Sequence, residues 1–220
     1  DIETINRKLE KSKKKALSQK QLEILEKSLK LLNEGNDLSK VDLVSKQFLN
    51  QTGLLSIKPK IIVCNVDETS LHKGNNYTEL MSKSYPNEKI ITICADFEDQ
   101  LSSLDHQDKL KFMKETGLEK MGISKLIKSG YDLLELQTFF TSGPEESRAW
   151  TIKKNTLAPK AAGVIHTDFE KNFIRAEAVD TEDFFKFGSA EKCKENGKLR
   201  IEGKDYVVND GDVLFFRVNP

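Results

Sequence analysis

The stretch "IIVCNVDE", residues 61–68, decides how this chain folds. Four apolar residues run without a break from Lys60 into Asn65, too short for a helix and rich in β-branched side chains, so they read as a buried strand. A helical stretch "YTELMSKS" (77–84) follows a polar loop, and a second apolar run "KIITICA" (89–95) follows that. Strand, helix, strand at this spacing predicts a βαβ unit and a parallel sheet, whose ligands bind at the carboxyl ends of the strands. Asn65 stands at such an end, and Glu68 stands three residues later.

Working outward, residues 1–58 contain no proline and are rich in Lys, Glu and Leu. Leu22, Leu25, Leu29 and Leu32 form one apolar stripe at helical spacing, and Ile5 and Leu9 begin another. The basic run "KSKKK" (11–15) falls between the stripes, as a solvated helix tip or a nucleic-acid contact. "NEGND" (33–37) stops the second helix at Gly35, with Asp37 or Ser39 as caps for a short next one. After the βαβ unit, "FEDQLSSLD", "HQDKLKFMKETG" and "GISKLIKSGYDLL" continue as helices. Beyond about residue 137 the strands become short and frequent: "LQTFFT", "RAWTI", "FIRAEAV", "LRIEG", "YVV" and "DVLFFRV", separated by Gly- and Asp-rich turns, with "APKAAGVIHTDF" as one helix among them. A small mixed sheet with a crossing helix is the arrangement of a β-grasp module. The expected division is therefore helical (1–58), α/β (59–136) and α+β (137–220).

Composition narrows the function only by exclusion. Of 220 residues, 35 are Lys or Arg and 35 are Asp or Glu, so net charge names no partner and a nucleic-acid contact must rest on a local patch. Lys153, Lys154 and Lys160 with Arg148 form the candidate RNA-facing patch. The 3 cysteines lack CxxC spacing and fit a reducing cytosol better than a disulfide framework or a zinc site; Cys64 and Cys94 read as small buried hydrophobes on neighbouring strands. No apolar run approaches the roughly 20 residues of a membrane span, and "DIETINRKLE" lacks a signal-peptide core. The absence of an initiator Met, with helix from the outset, predicts that the chain begins inside a larger protein.

Asn65 and Glu68 suggest base recognition. A purine offers N7 beside O6 or the N6 amino group, and an Asn amide matches either pair bidentately. In GTP-binding proteins the motif is Asn-Lys-x-Asp, whose Asp accepts both guanine donors. Here Val66 replaces the Lys and Glu68 the Asp, which weakens guanine specificity. An ordinary strand end with a capping acid remains the alternative on these four residues alone. "HTDFE" (166–170) alternates His166, Asp168 and Glu170 in the manner of metal ligands on a strand, but with one His and no wider cluster it reads as structure.

Together, "DIETIN", "NVDE", "GYDLLELQTFFTSGPEESRAWTI", "APKAAGVIHTDFEKNFIRAEAV" and "GKDYVVNDGDVLFF", in this order, resemble the YchF/Obg-like ATPase family over nearly the whole chain. The resemblance implies the C-terminal part of a P-loop NTPase sheet, a helical coiled-coil insertion and a TGS domain with a β-grasp fold. It implies a cytoplasmic, monomeric, ribosome-associated ATPase that prefers ATP to GTP, with the large ribosomal subunit and RNA as partners and no membrane. It places Asn65, Val66 and Glu68 on the base motif, Val66 through its main chain, and Cys94 and Ala95 on the next nucleotide-lining loop. The chain has no GxxxxGK[ST] and no Mg2+-holding strand-end Asp, so ATP phosphates and Mg2+ fall to residues upstream. None of His72, His106 or His166 takes the family's catalytic role, which leaves no catalytic residue here and predicts a fragment inactive alone. The stretch after "DIETIN" reaches "KLEKSKKK" sooner than the family's helix suggests. A non-enzymatic translation or RNA-binding module, switched by nucleotide, is the rival reading.

Overall fold

The structure is a computed structural model that describes residues 1–12, 17–39, 41–116 and 121–219. It divides into two compact units, Asp1–Thr92 and Ile93–Pro220. Residues 13–15 of the basic run lie outside the described residues.

In the first unit, helices α1 (Ile2–Ser12), α2 (Gln19–Asn33) and α3 (Leu43–Asn50) share one core, because each turns an apolar stripe inward. Ile5, Leu25, Leu38 and Leu49 are completely buried there, and Leu9, Leu29 and Leu32 pack around them. Ser18 caps α2 in a reciprocal box with Gln21, and Gly35, at φ +78°, ends it in the left-handed conformation that costs glycine least. Neither Asp37 nor Ser39 caps α3. That cap is Asp42, whose carboxylate accepts from the Ser45 amide at 3.0 Å. Asp37 is instead taken by Lys60, 2.6 Å away, and by Ser39. Strand β1 (Ile61–Asn65) follows, then the one-turn 3-10 helix Glu68–Ser70, helix α4 (Asn76–Ser84) and strand β2 (Lys89–Ile93). The strands β1 and β2 are hydrogen-bonded neighbours in a two-stranded sheet.

The second unit opens with helices α5 (Ala95–Ser102), α6 (His106–Glu115) and α7 (Gly122–Leu133). It continues with β3 (Leu136–Ser142), β4 (Ser147–Lys153), α8 (Ala158–Ile165), α9 (Thr167–Lys171), β5 (Phe173–Asp180), α10 (Thr181–Phe187), α11 (Ala190–Glu195), β6 (Arg200–Glu202) and β7 (Asp212–Val218). The five strands form one sheet in the order β4-β3-β7-β5-β6. Only β3 and β7 run parallel; β4 lies antiparallel to β3, and β5 antiparallel to both β6 and β7. Helix α8 lies against this sheet through Ala158, Ala161 and Ala162, all fully buried. Three alanines in this face let the helix approach closely enough to cover Phe139, Ile152, Phe173 and Leu214. Pro159, in the first turn, costs no backbone bond.

Three sequence expectations change in this unit. "APKAAGVIHTDF" is two helices, broken where His166 turns extended and caps α9 with its own Nδ1. "YVV" is no strand and contributes only an isolated bridge between Leu157 and Val207. Helices α10 and α11 were not anticipated. Among the described residues, no helix is long and apolar enough to cross a membrane.

Candidate functional site: a strand end and a capped turn

Strand β1 ends at Asn65 because the backbone leaves the sheet there. Val66 lies outside any regular element, Asp67 is extended, and Glu68 opens the 3-10 turn. Asn65 and Glu68 are exposed and Val66 is half-buried, so an amide, a main-chain segment and a carboxylate are displayed within four residues on one loop. That loop is held at both ends. At its start, Asp67 Oδ1 accepts from Thr69 Oγ1 at 2.6 Å and from the Ser70 amide at 2.9 Å. These two bonds, the Thr69 hydroxyl first, hold the Asp67 carboxyl below its usual acidity range. At its far end the Gly74 amide donates to the Ser70 carbonyl at 2.7 Å, and Asn75 caps α4 through the amides of Tyr77 and Thr78. Thr78 Oγ1 returns the bond by accepting from the Asn75 amide at 2.8 Å. Gly74, at φ +73°, presses so closely on Thr78 Oγ1 that a Cβ would collide with it.

Asn65, Val66 and Glu68 belong to the first unit; Cys94 and Ala95 belong to the second. Cys94 is buried at the N-cap of α5, and Ala95, exposed, is the first residue of that helix. The Cys94 side chain makes no cap bond. The Glu98 carboxylate leaves its own helix to accept from the Gly122 amide at 2.5 Å and the Ile123 amide at 3.4 Å, capping α7, whose own N-cap, Met121, offers no side-chain oxygen. Gly122 permits this approach: a Cβ there would lie 2.8 Å from Ile93 Cγ2 and 2.9 Å from Glu98 Oε1. Sequence reasoning missed Asp67, Glu98 and Gly122. Asp followed by Glu-Thr-Ser was a legible capping signal, whereas the 24-residue reach from Glu98 to Gly122 was not.

The remaining candidates are occupied otherwise. Lys154 pairs with Asp132 at 3.1 Å, Lys160 with Glu170 at 2.5 Å, Lys153 donates to the Leu134 carbonyl, and Arg148 stacks on Trp150. His166 lies 3.5 Å from Asp168, but Glu170 is with Lys160, and no group of three metal-ligating side chains occurs among the described residues. Cys94 and Cys193 are buried, whereas Cys64 is only half-buried.

Residues 136–219 match the YchF-GTPase C-terminal family model, described as a protein of unknown function (DUF933). Over its entire length the chain is 40% identical to the ribosome-binding ATPase YchF of Escherichia coli O157:H7 and 38% identical to that of Bacillus subtilis, spanning 62% and 63% of their lengths. It is 40% identical to Obg-like ATPase 1 of Rattus norvegicus over 79% of this chain and 45% of that protein. The solved YchF GTPase of Schizosaccharomyces pombe superposes with a TM-score of 0.79 at 31% identity, over 99% of this chain and 62% of that one.

Proposed function

We propose, from similarity to YchF ATPases along the whole chain and to an Obg-like ATPase along 79% of it, a role as the carboxyl-terminal portion of a ribosome-associated ATPase, in which this segment supplies base recognition. The observation that carries the reading is the exposed Asn65 at the end of β1 with Glu68 three residues on, presented by a turn capped at both ends. Asn65 would take the purine N7 edge, the Val66 main chain the adenine amino side, and Glu68 the far side of the ring. An extended Glu with no neighbouring Lys fits the two donors of guanine less well than the short Asp of Asn-Lys-x-Asp. The reading assigns residues 1–58 to a helical coiled-coil arm, 59–136 to the end of a P-loop NTPase domain, and 137–220 to a TGS module of β-grasp type. Exposed apolar side chains support a larger nucleotide-binding domain: Val63 on β1 and Tyr77 and Leu80 on α4 remain uncovered by a two-stranded sheet.

ATP fits this chain through its base alone. Among the described residues no group of three metal-ligating side chains occurs, and the sequence has no phosphate loop, so this reading assigns the phosphates and magnesium to residues outside the chain. The proposed setting is cytoplasmic, with the large ribosomal subunit and RNA as partners of a monomer. Phosphate release by the full-length protein, with ATP or GTP and with or without ribosomes, tests the proposal. ATP should be hydrolysed faster than GTP and ribosomes should alter the rate; no hydrolysis above background would favour the binding module switched by nucleotide.

A further inference from the structure

We infer that Asp67 is a positioning residue for nucleotide selection, its carboxylate fixing the turn that presents Glu68. The inference rests on the base-recognition reading of Asn65–Glu68. Glu68 begins a 3-10 helix of only three residues, which cannot hold itself, since one turn fixes several dihedrals for a single backbone bond. Its backbone bonds, Ser70 amide to Asp67 carbonyl and Leu71 amide to Glu68 carbonyl, are both 3.2 Å long. The two side-chain bonds to Asp67 Oδ1, at 2.6 and 2.9 Å, are shorter, and they straddle Glu68, joining the residue before it to the two after it. With both bonds on Oδ1, the Asp67 carboxylate is folded back over the turn instead of reaching outward. Asp67 therefore acts through Glu68. Without it the turn frays at the end that carries Glu68, while the other end stays anchored by Gly74 and the Asn75–Thr78 box.

The test uses the full-length protein and the binding of fluorescent ATP and GTP analogues. Asp67→Ala should weaken ATP binding about five-fold, the scale of a lost helix cap, and reduce the ATP-over-GTP ratio. Asp67→Ser and Asp67→Asn, which keep a capping oxygen, should restore the affinity to within about two-fold. In a Glu68→Ala background, Asp67→Ala should cost nothing further, because the residue it positions is gone. If Glu68→Ala alone leaves ATP binding unchanged, the base-recognition reading fails and takes this inference with it. If Glu68→Ala matters but Asp67→Ala does not, or the two losses add in full, the positioning role is overturned and base recognition stands.

Discussion

Asp212 is the most deeply buried carboxylate among the described residues, 1% exposed at the start of β7. Such a carboxylate is tolerable only when every oxygen finds a donor. Oδ1 accepts from Arg200 Nη2 at 3.0 Å; Oδ2 accepts from Tyr206 Oη at 2.6 Å and from the Asn209 amide at 2.8 Å. Burial, and then the bond to Asp212, push the Tyr206 hydroxyl up to about 12. The cluster ties β6, β7 and the turn between them into one body. Asp212→Ala strands three donors, so it should cost about 3 kcal/mol in urea unfolding monitored at β-sheet wavelengths. Tyr206→Phe leaves Asp212 two partners and should cost about 1 kcal/mol. Equal costs would show that the carboxylate is not the hub. The sequence showed "NDGD" only as a turn, because nothing local marks an Asp whose partner Arg200 is 12 residues away.

At the scale of elements, periodicity made most helices and strands legible, and failures came where tertiary contacts chose between equivalent signals. Asp37, Ser39 and Asp42 are all competent caps. Asp42 immediately precedes α3 and caps it, while Asp37 is held by Lys60, 23 residues on. Helices α10 and α11 escaped notice because each is a single short stretch, 7 and 6 residues, joined at Gly188 in the left-handed region, too brief to show a stripe. "HTDFE" offered three alternating polar side chains, yet His166 caps a helix beside Asp168 and Glu170 pairs with Lys160. The Asp37–Lys60 link has a pH signature. The hydrogen bond from Lys60, with Ser39 assisting, lowers the Asp37 carboxyl from 3.8 to about 2. A depressed carboxylate stabilises the fold above its ordinary pKa, and the stabilisation disappears as pH falls from about 4 to about 2. Asp37→Asn should therefore lower the thermal midpoint of the first unit at pH 6 and match the parent at pH 2. The same deficit at both pH values would mean that packing, not ionisation, accounts for it.

For the whole molecule, the order of motifs carried more than any one of them. Asn65 and Glu68 alone are compatible with an ordinary strand end, and their proposed reading rests on the surrounding segments, whose similarity to YchF ATPases extends over the entire chain. The mixed sheet of the second unit, with its Ala-faced α8, was legible in outline from strand spacing, while its order β4-β3-β7-β5-β6 was not, since the parallel β3–β7 pair joins segments more than seventy residues apart. The loop proposed to select the base was legible in its exposed residues. Asn65 and Glu68 stand out by type and spacing, whereas the Glu98–Gly122 link of the second unit is a contact that only folding creates. The central claim is that residues 65–68 set nucleotide choice, and its most direct measurement is competition between ATP and GTP for the full-length protein carrying Val66→Lys with Glu68→Asp. Restoring the guanine pattern should shift preference at least about ten-fold toward GTP, the value of one well-placed base contact; an unchanged ATP-to-GTP ratio would contradict it.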